Sequence, residues 1–207
     1  TSDSSSVGNT NMLSDYAAIK NGSYGKLMKA YYAKQDAEKL SGKGDTSQKL
    51  TLMKTSADSL KKSADALNDS SLWEKKKIKK KDEKTGEEIE VEDYDWDKIT
   101  KAVKSFVEDY NDVVKEAGES NTKDVLRNAS WMTGMTDKNS NMLAKIGITI
   151  GKGNKLELDE DALKQADISS LKTVFTGYNS FVSKISQKAT GISNAANRAS
   201  ATYTNNG

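Results

Sequence analysis

The fold of this 207-residue chain is decided by residues 99–117, ITKAVKSFVEDYNDVVKEA. Apolar side chains recur there in alternating steps of three and four, at Ile99, Val103, Phe106, Tyr110, Val113 and Ala117. This spacing places all six side chains on one stripe of an α-helix, and such a stripe is buried against other helices. The segment therefore predicts a long amphipathic helix that packs lengthwise.

Two further segments have the same heptad spacing. The first seam consists of Leu50, Met53, Ala57, Leu60, Ala64 and Leu67. The second consists of Val182, Ile185, Ala189, Ile192, Ala196, Ala199 and Tyr203. Helices with such seams pack side by side. We therefore predict a mainly α fold, namely an elongated antiparallel helical bundle with coiled-coil-like seams.

The composition argues against several classes of function. The chain has no histidine, cysteine or proline, so disulfides, thiolate nucleophiles and thiolate metal sites are excluded. A net charge of +2 does not favour nucleic-acid binding, and no apolar run approaches the length of a membrane span. We expect no enzyme activity, no cofactor and no metal, because the polar residues do not converge in a catalytic pattern.

Two short segments predict β-hairpins. At about residues 74–95, lysines precede a Thr85-Gly86 turn and carboxylates follow it, so Ile78 faces Ile89 or Val91 depending on the register. At residues 147–158, pairing Ile148 with Leu158 and Ile150 with Leu156 places four apolar side chains on one face. The second hairpin can therefore lie on the helices with a polar back towards water.

The domain organisation follows from these elements. Residues 1–13 are rich in Ser, Gly and Asn and are predicted to be a disordered lead-in. Residues 14–207 are predicted to form a single elongated helical domain, which begins with a helical pattern from Ser14 to Tyr31. The 74–95 hairpin is an insertion in that domain. Thr46 or Ser47 is expected to cap the 50–67 helix, and Asp159 a short helix after the second hairpin.

Several local patterns have both a functional and a structural interpretation. Asp137, Asn139 and Asn141 resemble the start of a calcium loop, but the glycine and glutamate that such a loop needs are missing, which favours a helix-capping loop. The glycines around Lys152 are better explained as turn residues than as a phosphate loop. The three tryptophans are interpreted as core or shoulder packing where a hairpin meets a helix, namely Trp73, Trp96 and Trp131.

The second half of the chain resembles a known family. The residues that carry the resemblance are Phe106-Val107 with Tyr110-Asn111, Leu143 with Ile146-Gly147-Ile148, Gly153 with Leu156-Glu157-Leu158-Asp159 and Leu163, and Val174-Phe175. In order and spacing they resemble the C-terminal leg region of the bacterial flagellar filament-capping protein, a hook-associated protein. The resemblance implies that Phe106, Tyr110, Asn111, Ile146, Gly147, Ile148, Leu156, Leu158, Asp159 and Phe175 serve packing.

The resemblance also implies a function. Members of that family form ring-like oligomers at the filament tip and leave the cell through the flagellar export channel. Where the family has a large head, this chain has only the 74–95 hairpin, so we expect a headless, flagellin-like relative. The expected partners are the protein itself, flagellin-type filament subunits and an export chaperone. The expected location is extracellular or at the cell surface, on the flagellum, with the cytoplasm as the alternative.

The two ends of the chain, residues 1–13 and 190–207, are the expected contacts with a partner, because they have the weakest apolar content. The seam of the last helix becomes rich in alanine towards the end of the chain. The expected assembly contacts are Val182, Ile185, Ile192, Ala196, Ala199 and Tyr203. An alternative function of a different class stays open. In that alternative, the chain is a soluble helical adaptor or chaperone-like module that holds a client helix along an exposed seam.

Overall fold

The computed structural model of the protein describes residues 44–205. The predicted lead-in at residues 1–13 and the helical pattern from Ser14 to Tyr31 lie outside the described residues. Within them the chain is mainly α-helical, with two small antiparallel two-stranded sheets. The predicted fold class is therefore confirmed.

Three long helices correspond to the three heptad seams. They are α1 (Ser47–Leu67), α2 (Trp96–Gly118) and α7 (Phe181–Asn205). Helix α1 begins after Thr46, whose hydroxyl accepts a hydrogen bond from the Lys49 amide at 3.2 Å. At a rise of about 1.5 Å per residue, α1 is roughly 31 Å long. The length of this helix therefore agrees with the length of its apolar seam.

Shorter elements complete the chain. Between α2 and α7 lie the helices α3 (Lys123–Lys138), α4 (Ser140–Ala144), α5 (Glu160–Gln165) and α6 (Ile168–Phe175). The strands are β1 (Lys76–Lys81), β2 (Glu88–Asp93), β3 (Ile148–Ile150) and β4 (Leu156–Leu158). Single 3₁₀ turns lie at Ser70–Trp73 and Lys152–Asn154.

The core of the bundle lies where the seams meet. Helix α7 packs against both α1 and α3, and α1 also packs against α2. All six seam residues of α1 and all six of α2 are buried. Helix α3 comes close to α7 at Gly191, where the Asn128 side chain occupies the space that a Cβ would need. Helices α1 and α2 therefore bury their whole apolar stripes, and α7 buries its stripe from Val182 to Ala196.

The two hairpins differ in what they cover. In the second hairpin Ile148 pairs with Leu158 and Ile150 with Leu156, as predicted, and all four side chains are buried or half-buried. In the first hairpin Ile78 pairs with Val91. Most of its residues are exposed, which is typical of a ribbon that protrudes from the body. None of the helices in the described part of the chain is long and apolar enough to cross a membrane.

Candidate assembly site

The loop after α4 is built around Gly147. Its φ of +88° lies in the region that favours glycine, and its carbonyl accepts a hydrogen bond from the Asp159 amide at 2.8 Å. A Cβ at this position would lie 2.7 Å from the Asp159 carbonyl oxygen and 2.9 Å from the Leu163 amide nitrogen. Asp159 in turn caps α5, because its carboxylate accepts a hydrogen bond from the Ala162 amide at 3.0 Å. Gly147 and Asp159 therefore fix the second hairpin between two helices.

Asn111 ties this hairpin to α2. Its side-chain amide donates to the Leu156 carbonyl at 3.0 Å, and its side-chain oxygen accepts from the Leu156 amide at 2.7 Å. The side chain therefore satisfies both backbone groups of one strand residue, as a neighbouring strand would. The neighbouring Ile146, Ile148 and Leu156 side chains are buried in the core.

An aromatic cluster joins α2 to α6. Phe175 stacks on Trp73 with the ring centroids 5.6 Å apart and meets Phe106 edge-on at 6.4 Å. Tyr110 is fully buried, and its hydroxyl donates to the Thr136 hydroxyl at 2.8 Å. Burial raises the pKa of Tyr110. These side chains form packed contacts with one another.

The residues expected to contact a partner lie at different depths on α7. Val182, Ile185, Ile192 and Ala196 are buried inside this chain, against the other long helices. Ala199 is half-buried, and the side chain of Tyr203 lies outside the described residues. The part of this seam that is accessible to a partner therefore begins at Ala199.

Polar pairs repeat along the boundary between α1 and α7. Ser193 donates to Asp58 at 2.6 Å, and Ser186 donates to Asp65 at 2.7 Å. Burial alone would raise the pKa of these two carboxylates. The neighbouring Lys54 and Lys61 and the hydrogen bonds from the serines outweigh burial, so both pKa values are lowered. Each pair is one heptad from the next, so the two helices carry matching polar positions beside their apolar seams.

Asp45 connects the start of α1 to the start of α3. Its carboxylate, only 3% exposed, accepts hydrogen bonds from the Ser120 hydroxyl at 2.6 Å and the Asn121 amide at 2.7 Å. The Thr122 hydroxyl donates to it at 2.6 Å and the Thr122 amide at 3.1 Å. Burial alone would raise the pKa of Asp45, but these hydrogen bonds hold it below its ordinary value. No local pattern in the sequence indicates that Asp45 has a partner about 75 residues away.

A surface groove lies between α3 and α7. It is lined by Trp131, Gly134, Met135, Asp137, Lys138, Asn139 and Lys184, and its volume is about 750 Å³. The Trp131 side chain is 50% exposed, and the Lys188 ammonium lies 4.5 Å from the centre of its ring. Trp73 and Trp96 are buried or half-buried at the base of the first hairpin, as interpreted, but Trp131 borders this open groove instead. We call it the Trp131 groove.

The loop residues considered as ion sites have structural roles. Asn139 ends α3, and its side-chain amide donates to the Met135 carbonyl at 2.8 Å. Gly153 has a φ of +69° in the turn between β3 and β4. Within residues 44–205, no group of three carboxylate, histidine or cysteine side chains is placed to hold a metal ion.

The comparisons with known proteins bear on the second half of the chain. Residues 118–207 match the family model described as the flagellar hook-associated protein 2 C-terminus. The match begins at the end of α2 and includes α3 to α7 with the second hairpin. No curated protein and no solved structure matches the chain. The resemblance to the C-terminal region of the flagellar filament-cap family is thereby confirmed for residues 118–207.

Proposed function

We propose that this protein is a non-enzymatic structural component of the bacterial flagellum that associates with copies of itself or with flagellin-type filament subunits. The observation that carries the proposal is the match over residues 118–207 to a family that is named for its association with the flagellar hook. The packing supports it, because Gly147, Asp159 and Phe175 make close contacts that join the second hairpin to the helices. A packed body in which the end of the last helix is accessible suits assembly.

The proposed location is the flagellum, outside the cell, and export there would involve an export chaperone. The first experiment is to shear the native cells, separate the filaments from the cell bodies and the medium, and probe each fraction with an antibody. Recovery with the filaments supports the proposal. Recovery in the cytosol alone would contradict it.

We propose the end of α7, from Ala199 onwards, as the docking segment. The buried seam residues Ile192 and Ala196 hold α7 in the bundle, whereas Ala199 is half-buried. Deleting residues 199–207 should therefore weaken association with filaments or with other copies and change the thermal unfolding midpoint only slightly. Deleting residues 190–207 is the matched comparison, because it also removes core side chains and should lower the midpoint strongly.

The adaptor alternative is favoured by one observation, the half-exposed Trp131 ring in its groove. An adaptor would be recovered as a monomer bound to a defined client peptide, in the cytosol. Size-exclusion chromatography with light scattering on the purified protein separates the two functions. Oligomers of this chain alone support assembly and count against the adaptor.

A further inference from the structure

The lining of the Trp131 groove has a net positive charge. Lys138 and Lys184 line it, Lys188 covers the Trp131 ring, and Asp137 is the one carboxylate among its lining residues. Neither Lys138 nor Lys184 forms a salt bridge with another described residue. A fitting occupant therefore combines an apolar side chain for the Trp131 ring with carboxylates for the lysines.

Strand β2 of the first hairpin has this combination. Its sequence is EIEVED, and Ile89 is 40% exposed between Glu88 and Glu90, which are exposed as well. Within the described residues β2 pairs with β1 alone, so its outer edge presents unpaired backbone groups. Side chains alternate between the two faces of a strand, so Ile89 lies on one face and Glu88 and Glu90 lie on the other. A partner that docks on the outer edge can contact side chains of both faces.

We propose that the outer edge of β2 in one copy of the protein docks into the Trp131 groove of a second copy. The inference rests on the self-association in the proposed function and adds a second contact between copies, separate from the end of α7. Ile89 lies against the Trp131 ring, and Glu88 and Glu90 face Lys138 and Lys184. The apolar contact supplies burial, while the charges select the partner and the register.

This contact is heterologous, because the two copies contribute different surfaces. Each copy keeps a free groove and a free β2 edge after the first contact, so the interface repeats. Such repetition closes into a ring if the rotation between copies permits, and otherwise extends as a chain. Pairing between two like surfaces is disfavoured, since it would bring lysines against lysines or glutamates against glutamates.

A charge-swap experiment tests the proposal on the full chain. The groove variant is Lys138→Glu with Lys184→Glu, and the hairpin variant is Glu88→Lys with Glu90→Lys. Each variant alone places like charges across the interface, so its association, measured by analytical ultracentrifugation, should weaken by about tenfold or more. Mixing the two variants at equal concentration restores opposite charges at both contacts and should restore association.

The mixture is the decisive arm, because only a contact between two copies can be rescued by it. Lys101→Glu with Lys115→Glu on α2 is the matched control, with the same change of charge elsewhere, and it should associate as the unchanged protein does. Ile89→Ser tests the same contact without a change of charge, so the cross-strand pairs of Lys79 and Lys81 with Glu90 and Glu88 stay intact. Leu52→Ser, at a similarly exposed position, is its control.

The outcomes separate this inference from the proposed function. Variants that associate as well as the unchanged protein, or a mixture that is not rescued, would overturn the groove contact and leave self-association standing. An unchanged protein that remains monomeric at every concentration would overturn both the groove contact and self-association, whereas the fractionation of sheared cells tests association with the filament by itself. Weakening by each variant with rescue by the mixture supports the proposed contact.

Discussion

At the scale of single residues, Gly147 shows how one backbone position can determine the arrangement of two elements. Its φ of +88° and its carbonyl bond to the Asp159 amide place the start of β3 against the start of α5. The sequence explains Gly147 only as one of the turn glycines around Lys152 and as a residue of the family resemblance. The reason is steric, because backbone atoms of Asp159 and Leu163 occupy the space of a Cβ.

We expect Gly147→Ala to destabilise the protein strongly. The matched control is Gly153→Ala, which has a similar φ of +69° but no atom within 4 Å of its Cβ position. Both variants should incur the left-handed strain of about 1–2 kcal/mol, and Gly147→Ala about 1–3 kcal/mol more, because backbone must move to admit the methyl group. Urea unfolding measures the difference, and equal losses in the two variants would contradict the steric explanation.

At the scale of secondary-structure elements, the repeated Asp–Ser pairs explain how α1 and α7 find their register. Apolar heptads alone allow two antiparallel helices to slide by one heptad. Asp58 pairs with Ser193 and Asp65 with Ser186 at the same heptad spacing. A one-heptad slide that brings Asp58 opposite Ser186 would leave Asp65 opposite Asn179, before the start of α7, and so keep one Asp–Ser pair where the observed register has two. The polar pairs therefore favour the observed register over this slid one.

Replacing either serine by alanine should lower the free energy of unfolding by about 0.5–1.5 kcal/mol, the net contribution of one partly exposed hydrogen bond. The two losses should add within about 0.5 kcal/mol, since the pairs are two turns apart. Thr190→Ala is the control, because the Thr190 hydroxyl bonds only to its own helix. Thermal and urea unfolding check the values, and serine variants no weaker than Thr190→Ala would remove the register argument.

The elements also show what could be predicted from the sequence. The long helices and the 147–158 hairpin could be predicted, because their patterns are local and each element has one apolar face. The register of the first hairpin could not, since lysines face carboxylates in either pairing. The Asp45 contact to α3 and the exposure of Trp131 depend on how distant helices meet, which no local periodicity encodes.

At the scale of the whole molecule, carboxylates with lowered pKa values connect the elements. Asp45 links the chain before α1 to α3, and Asp58 and Asp65 link α1 to α7, each through hydrogen bonds that favour the ionised form. Asp109 behaves in the opposite way, because burial and the nearby Asp112 and Glu108 raise its pKa. The change in the stability of the fold at low pH is therefore the sum of these opposing contributions.

We therefore expect the free energy of unfolding to fall as the pH is lowered from about 5 towards 2. A carboxylate whose pKa is lower in the folded state stabilises the fold above its unfolded pKa of about 3.9, and this stabilisation is lost as the pH falls through the folded value. Asp109 has the reverse sign, since its contribution is complete at low pH and lost as the pH rises. The carboxylates with a lowered pKa outnumber Asp109, so the free energy of unfolding should increase with pH over this range.

Urea unfolding at a series of pH values measures this slope, and Asp45→Asn isolates the most buried group. That variant should be less stable than the unchanged protein at pH 7 by about 2–3 kcal/mol, the order expected for hydrogen bonds to a buried charge, and should converge with it near pH 2. Glu83→Gln, in the exposed turn between β1 and β2, is the control and should follow the unchanged curve. If the free energies of unfolding of Asp45→Asn and of the unchanged protein instead differ by a constant amount over this pH range, the charge of Asp45 does not join α1 to α3. The contact then depends only on the packing and uncharged hydrogen bonds of that side chain.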